Sequence, residues 1–93
     1  MQLTDQLSGA SSESIGKIPF QQRVITFART YQLTSREKEV TKHLLMGHSY
    51  SRIMQELCIA EGTVNCHARN IYAKAGVHSR QELMELFETD FSK

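Results

Sequence analysis

The sequence predicts an all-α domain of four helices, preceded by an additional N-terminal helix and a flexible arm. Apolar residues recur at helical spacing, and the clearest run is Val64, Ala68, Ile71, Tyr72 and Ala75. Such a run is typical of a helix with one buried face. Capping residues and glycines mark where the helices start and stop. A chain of 93 residues has room for one domain and some flanking chain.

The composition of the N-terminal third indicates two segments. Residues 1–19 contain Ser, Gly, Gln and Thr with little apolar content, and they end at Pro19. This composition favours a flexible arm or linker. Residues 20–32 then carry apolar side chains at helical spacing and are predicted to form an amphipathic linker helix; those side chains are Phe20, Val24, Phe27, Ala28 and Tyr31.

The first helix of the domain is marked at both ends. Thr34 and Glu37 have the spacing of a capping box, in which each side chain accepts from the backbone N–H of the other residue. Gly47 supplies a left-handed stop. Ser49 is placed to cap a second, short helix from Tyr50 to Leu57.

A third helix follows after a tight connection over residues 58–61 and extends to Ala75, with Gly76 as its stop. Two short helices joined in this way are typical of a helix-turn-helix. The face opposite the apolar stripe is narrow and mostly small: Gly62, Asn65, Cys66, Arg69 and Ala73. Asn and Arg can make bidentate contacts with adenine and guanine, so this face is typical of a recognition helix.

A last helix opens with a second predicted capping box, Ser79 to Glu82, and is expected to run to about Phe87. The distribution of charged residues changes at the start of this helix. Residues 62–80 carry three cations and no acid, whereas residues 81–93 carry four acids and one lysine. The first segment favours phosphates and the second repels them, which would orient the domain on a polyanion. Chance clustering on a solvated surface explains three cations equally well.

The amino-acid sequence resembles that of the LuxR/GerE-type DNA-binding domain over about residues 33–87. The resemblance rests on many positions, among them Leu33-Thr34-Ser35-Arg36-Glu37, Gly62-Thr63-Val64, Asn70-Ile71-Tyr72, Gly76-Val77 and Ser79-Arg80. It implies a four-helix domain, assigned to residues 33–88 with a tail at 89–93. It further implies sequence-specific binding of double-stranded DNA, as the output domain of a bacterial transcriptional regulator with residues 61–75 in the major groove.

The resemblance also suggests residue roles. Base contacts are expected from Asn65, Cys66 and Arg69. Phosphate contacts are expected from groups near the helix starts and flanking cations: Ser49, Tyr50, Ser51, Arg52, Thr63, Lys74 and Arg80. A homodimer, at least on DNA, is expected through the last helix, with Leu83, Met84, Leu86 and Phe87 as the interface, although these four could instead complete the core. RNA polymerase is a further candidate partner.

Several positions depart from the family pattern. Asn65 stands where Lys is frequent. Ala60 replaces the usual Ser cap of the recognition helix, and the loss of this cap is expected to lower stability by about 1 kcal/mol. Met54 replaces a small residue where the two helices cross. On the first helix Thr41 and His43 replace apolar residues, and Leu45 replaces a small one. Glu37 is interpreted as a structural group, and His67 as a packed or phosphate-facing imidazole.

Other functions remain open. An interaction module that kept the fold but lost DNA binding is favoured slightly by Asn65 and the modest charge. A metal or redox sensor would use Cys58, Cys66 and the histidines, but no zinc-site spacing is present; oxidation of Cys66 at the DNA surface is a simpler variant. No enzymatic motif, cofactor motif, signal peptide or membrane span is recognisable.

These features predict a bacterial cytoplasmic protein, associated with the nucleoid when bound to DNA. Free thiols would suit a reducing compartment. Family members often carry a sensor domain on the N-terminal side, and none fits here. The chain is therefore expected to be either stand-alone or the C-terminal piece of a longer protein.

Overall fold

The computed structural model describes residues 18–91. Within this range the chain forms five helices and no strands: α1 (Phe20–Thr30), α2 (Ser35–Leu45), α3 (Tyr50–Leu57), α4 (Glu61–Ala75) and α5 (Arg80–Phe91). The predicted all-α class, with a helix ahead of the four-helix domain, is confirmed. The predicted arm lies almost entirely outside the described residues.

The helix starts follow from local capping. Thr34 Oγ1 accepts from the Glu37 N–H at 3.1 Å, and Glu37 Oε1 accepts from the Thr34 N–H at 2.9 Å, so the predicted capping box is complete. Ser49 Oγ accepts from the Arg52 N–H at 3.1 Å and caps α3 as predicted. Gly47 has a φ of +81° just beyond α2, which is the expected left-handed stop.

The turn between α3 and α4 is short and unusual in one position. Cys58 ends α3 in the left-handed conformation with φ +56°. Residues other than Gly, Asn and Asp seldom adopt this backbone conformation. Ala60 occupies the N-cap of α4 and makes no side-chain cap hydrogen bond, as its identity requires. Gly76 ends α4 with φ +73°. The helix-turn-helix geometry is therefore fixed by backbone conformation more than by side-chain caps.

One hydrophobic core joins all five helices. Its buried members come from each helix in turn: Val24, Phe27, Val40, Leu44, Ile53, Val64, Ala68, Ile71, Leu83 and Phe87. The predicted apolar stripe of α4 supplies three of these, while Tyr72 and Ala75 are half-buried at its edge. Burying this surface is the main favourable term in folding.

The additional helix α1 is part of this core. The Phe87 ring lies edge-on to Phe20 and to Phe27, with centroids 5.8 Å and 5.5 Å apart. The Arg23 guanidinium lies 5.2 Å from the centroid of Phe87. The Tyr31 hydroxyl donates to Asp90 Oδ2 at 3.1 Å, joining the end of α1 to the end of α5.

Two expectations about α5 need correction. The helix continues to Phe91 instead of ending near Phe87, because α1 packs beside it and Asp90 accepts the bond from Tyr31. The second capping box is only half formed. Ser79 Oγ accepts from the Glu82 N–H at 3.1 Å, but the Glu82 carboxylate accepts from the His78 N–H instead of from Ser79.

Candidate nucleic-acid interface

The helix-turn-helix pair α3 and α4 is anchored by two side chains that are fully buried. Ile53 on α3 and Val64 on α4 are both 0% exposed. Met54, which stands where the two helices cross, is half-buried and packs against the core. With these side chains turned inward, the remaining faces of the two helices are left open to a partner.

The open face of α4 contains the three residues expected to read bases. Asn65, Cys66 and Arg69 are all exposed. Asn70, which the sequence analysis quoted for the family resemblance but not as a DNA contact, is also exposed, and its amide lies 4.0 Å from Cys66 Sγ. It neighbours Arg69 in sequence, and no spacing rule marked it. The structure thus presents two amides, one thiol and one guanidinium along the exposed part of α4.

Gly62 lies at the start of the same face, and the fold does not need a glycine there. A Cβ built at this position meets nothing within 4 Å in the domain. Glycine in a helix is less stable than alanine by about 0.5–1 kcal/mol. Internal packing therefore gives no reason for the missing side chain, whereas close approach of another molecule would.

The predicted phosphate contacts on α3 cluster around its N-terminus. Ser49, Ser51 and Arg52 are exposed and Tyr50 is half-buried. Arg52 is only loosely paired, with its Nε 3.7 Å from Glu56 Oε2. The first N–H groups of a helix and the positive end of its dipole attract anions. Thr63, also exposed, occupies the corresponding first turn of α4.

Lys74 has an internal partner, which the sequence did not reveal. Its Nζ lies 2.7 Å from Glu37 Oε1 and donates to the Gln32 carbonyl at 3.3 Å. Glu37 is 4% exposed, so its reading as a structural group for capping and ion pairing fits. Burial alone would raise the pKa of Glu37. The hydrogen bonds from Lys74 and Thr34, with the charges of Lys74 and His67, lower it overall.

Arg80 is likewise tied to the fold. Its Nη1 donates to the His48 carbonyl at 2.7 Å, and its guanidinium lies 5.8 Å from the centroid of the Tyr50 ring. The Tyr72 hydroxyl lies in the same cluster. Burial, together with the charge and hydrogen bonding of Tyr50, raises the pKa of Tyr72, and Arg80 opposes this. Arg80 thereby fixes the N-terminus of α3 to the start of α5.

The two cysteines of the described part of the chain are not joined by a disulfide. Cys58 and Cys66 are both free and exposed. No group of three or more potential metal ligands converges among residues 18–91. His67 is half-buried, and its Nδ1 is buried with no hydrogen-bond partner in the described range. This placement agrees with a packed imidazole better than with an exposed base.

The predicted dimer residues are split by the fold. Leu83 is 0% exposed and Phe87 is 4% exposed, so neither can also present a surface to a second subunit. Their burial favours the alternative that they complete the core, where the Phe87 ring contacts Phe20 and Phe27 of α1. Met84 and Leu86 are half-buried and stay candidates.

Residues 31–87 match the family described as bacterial regulatory proteins, luxR family. That is more than half of the chain. This chain belongs to the luxR family. Among its relatives are the HTH-type transcriptional regulators MalT of Serratia proteamaculans (strain 568) and of Yersinia pestis (strain Pestoides F). Each is 37% identical to it over 71 residues, which is 76% of the chain and 8% of the relative.

The chain therefore spans less than a tenth of the length of these curated relatives. No solved structure matches it. Family membership and the helix-turn-helix identify a DNA-binding domain of the kind found in bacterial transcription regulators. Among residues 18–91, no helix combines the length and apolar character needed to cross a bilayer.

Proposed function

We propose that this domain binds double-stranded DNA sequence-specifically, with α4 (Glu61–Ala75) in the major groove. The observation that carries the proposal is the exposed face of α4. It is small where the helix would approach most closely, at Gly62, and it offers Asn65 and Arg69 further along. In B-DNA these two side chains suit adenine and guanine edges, and Cys66 suits a thymine methyl group. The start of α3, from Ser49 to Arg52, would contact phosphates and set the register.

Replacing Arg69 with Ala should weaken binding to the preferred duplex by about 1–3 kcal/mol and relax base preference at one position. The preferred duplex is first selected from a random pool. Fluorescence anisotropy at two salt concentrations then compares the wild type with the variant. Loss of a base contact changes the ratio between preferred and random duplex, because a random site gains little from that contact.

Arg29→Ala is the matched control for Arg69→Ala. Arg29 is an exposed arginine on α1, so the variant loses the same charge from a different helix. The wild type should show a salt slope of about 0.9 per phosphate contacted. Equal behaviour of the two variants on every duplex would contradict base readout by Arg69. Absence of salt-dependent binding by the wild type would contradict the DNA interface itself.

Gly62→Ala separates a structural from a functional role for the small face. The added methyl group meets no atom of the domain, so we expect the free energy of unfolding to rise by about 0.5 kcal/mol. On DNA the same methyl group would press against the groove, and affinity should fall by about 1 kcal/mol. Urea unfolding and anisotropy on the same preparation measure both. Unchanged or tighter DNA binding would show that α4 does not approach closely at Gly62.

A protein-interaction module is the second candidate, and one observation favours it. Of the cations expected near DNA, Lys74 is paired with the Glu37 carboxylate, which leaves less positive charge for phosphates than the sequence suggested, and Arg80 keeps its charge but is bound to the His48 carbonyl. A module of this kind would present the same face of α4 without a salt-dependent affinity for duplex. The salt series above separates the two candidates.

A homodimer on DNA is part of the proposal, with Met84 and Leu86 of α5 as its remaining interface candidates. Both are half-buried and therefore have apolar area left to cover. Two-fold symmetry would match a pseudo-palindromic site. Action at the bacterial chromosome, and contact with RNA polymerase, follow from the regulator role and stay predictions without assigned residues.

A further inference from the structure

Two histidines meet at the junction of α2 and α3. His43 lies in the last turn of α2 and is 8% exposed. His48 follows Gly47 and precedes Ser49, the N-cap of α3. Their Nδ1 atoms are 2.8 Å apart, and their ring centroids 5.0 Å apart. Two nitrogens at this distance require one hydrogen between them, so one ring donates and the other accepts.

His48 is held by three contacts, two to His43 of α2 and one to Arg80 of α5. Its ring meets His43, its backbone N–H donates to the His43 carbonyl at 3.1 Å, and its own carbonyl accepts from Arg80 at 2.7 Å. The next residue is Ser49, whose hydroxyl caps α3. The position of His48 therefore sets the position of the α3 N-terminus, where phosphate contacts are proposed.

Proton count makes this contact sensitive to acid. With both rings neutral, or with one protonated, a single Nδ1–H can lie between the two nitrogens. With both rings protonated, each Nδ1 carries a hydrogen and neither can accept, so the contact cannot persist. The rings must then separate, and we expect His48 to move, because it lies in the turn between α2 and α3 whereas His43 lies within α2.

We propose that the His43–His48 pair is an acid-sensitive latch that holds the start of α3 in its DNA-binding position and releases it when both rings are protonated. The latch is a property of the fold alone. Its effect on DNA rests on the proposed function. The relevant range lies below the ordinary histidine pKa of 6.5, since burial and the neighbouring His48 lower the pKa of His43.

The surrounding charges favour a neutral His43. Burial lowers the pKa of His43 first of all, and the neighbouring His48 lowers it further. Glu56 on α3 opposes this, while Lys42 on α2 and Arg52 on α3 add to the lowering. Arg80 of α5 adds a further cation at the His48 carbonyl.

The sign of the pH dependence follows from that lowered pKa. Below pH 6.5 the unfolded chain takes up protons at His43 more readily than the folded domain does. The folded state is therefore at full stability above this pH, and it loses stability as the pH falls through the lowered pKa of His43.

The test is an NMR titration of the full chain from about pH 8 to about pH 5, following the imidazole carbons and the backbone amides. For the wild type we expect two ring titration steps, and the second should move the amide signals of Gly47, His48 and Ser49 together. Independent titration of the two rings that leaves these amides in place would overturn the latch. The wild type alone decides this outcome, so it does not depend on whether a variant folds.

His48→Gln assigns the effect to the pair, and His78→Gln is its control. His78 is 89% exposed and lies 3.4 Å from Glu82, so its variant also removes one titratable ring. We expect the amide shifts to be absent from His48→Gln and retained in His78→Gln. If His48→Gln fails to fold, His43→Gln takes its place with the same expectation. Amide shifts that persist in the folded pair variant would overturn the assignment.

DNA binding is then measured separately at about pH 7.5 and about pH 5.5. The wild type and His78→Gln should both lose about tenfold in duplex affinity on acidification, because both retain the His43–His48 pair. His48→Gln should lose much less. If the NMR titration shows the amide shifts but the duplex affinity is the same at both pH values, the proposed coupling of the latch to DNA binding would be overturned. No duplex binding at either pH would overturn the proposed function while leaving the NMR result intact.

Discussion

Lys74→Met is expected to lower the free energy of unfolding by about 2–3 kcal/mol. Glu37 Oε1 lies 2.7 Å from Lys74 Nζ, and the Glu37 side chain is only 5% exposed. Removing one partner of a buried pair strands a charge and typically costs about 3–5 kcal/mol. The lower figure is used because the Lys74 side chain is 37% exposed and water shares its charge. Methionine keeps the apolar stem and removes only the ammonium group.

Arg36→Met is the matched control for Lys74→Met. Arg36 pairs with Glu39 at 2.9 Å on the same helix as Glu37, but those side chains are 45% and 52% exposed. An exposed pair is worth about 0.2–1 kcal/mol. Urea unfolding followed by circular dichroism compares the two variants directly. If Lys74→Met were as mild as Arg36→Met, the Glu37–Lys74 contact would add little to stability.

The Lys74 variant should also change the response to acid. In the wild type the pKa of Glu37 is lowered, so its stabilising effect is present above its ordinary pKa of 4.5 and is lost as the pH falls through the lowered value. Without Lys74 the lowering shrinks, and the acid-dependent part of the stability curve should flatten. At neutral pH, anisotropy on the folded variant then reports whether Lys74 also contacts phosphate.

The helix starts could be predicted from sequence because they depend on residues three positions apart. Thr34 with Glu37 and Ser49 with the Arg52 N–H form the expected bonds. At Ser79 only one of the two expected capping bonds forms, because the Glu82 carboxylate accepts from the adjacent His78 N–H. Local chemistry thus fixes where a helix begins more reliably than which of two neighbouring donors a carboxylate selects.

Long-range partners could not be predicted from sequence in the same way. Glu37 was interpreted as a structural group from its capping box, but Lys74 is far from it in the chain and was expected to contact phosphate, so the pairing of the two could not be predicted. His43 and His48 lie on either side of a helix end, and no spacing rule brings their rings together. Asn65, Cys66 and Arg69, in contrast, were found exposed as expected, because the apolar stripe of a single helix determines its opposite face.

Leu83→Ala is expected to lower the free energy of unfolding by about 3 kcal/mol. This lies within the usual range of about 2–5 kcal/mol for replacing a buried leucine with alanine. Leu83 is 0% exposed and lies in the core that joins all five helices. The sequence left two roles open for it, because a leucine on an amphipathic helix can face a core or a second subunit. The fold favours the core role, because Leu83 lies in the buried cluster to which all five helices contribute.

Met84→Ala is the neighbouring control. Met84 is half-buried, so the lost contacts should lower the free energy of unfolding by about 1 kcal/mol or less. Equal losses for the two variants would contradict the placement of Leu83 in the core and Met84 at its margin. Sedimentation of the folded Met84→Ala variant on duplex DNA then tests the remaining interface. Unchanged dimerisation would remove Met84 from it and leave Leu86.

Leu83→Ala also tests whether α1 belongs to the domain. Leu83 and Phe87 are buried together, and Phe87 contacts Phe20 and Phe27 of α1. If α1 folds as one unit with α2 to α5, Leu83→Ala should shift the unfolding of α1 and α4 amides equally in native-state hydrogen exchange. Earlier loss of α1 alone would mean that α1 can detach, and Phe87 would then become available to a second subunit.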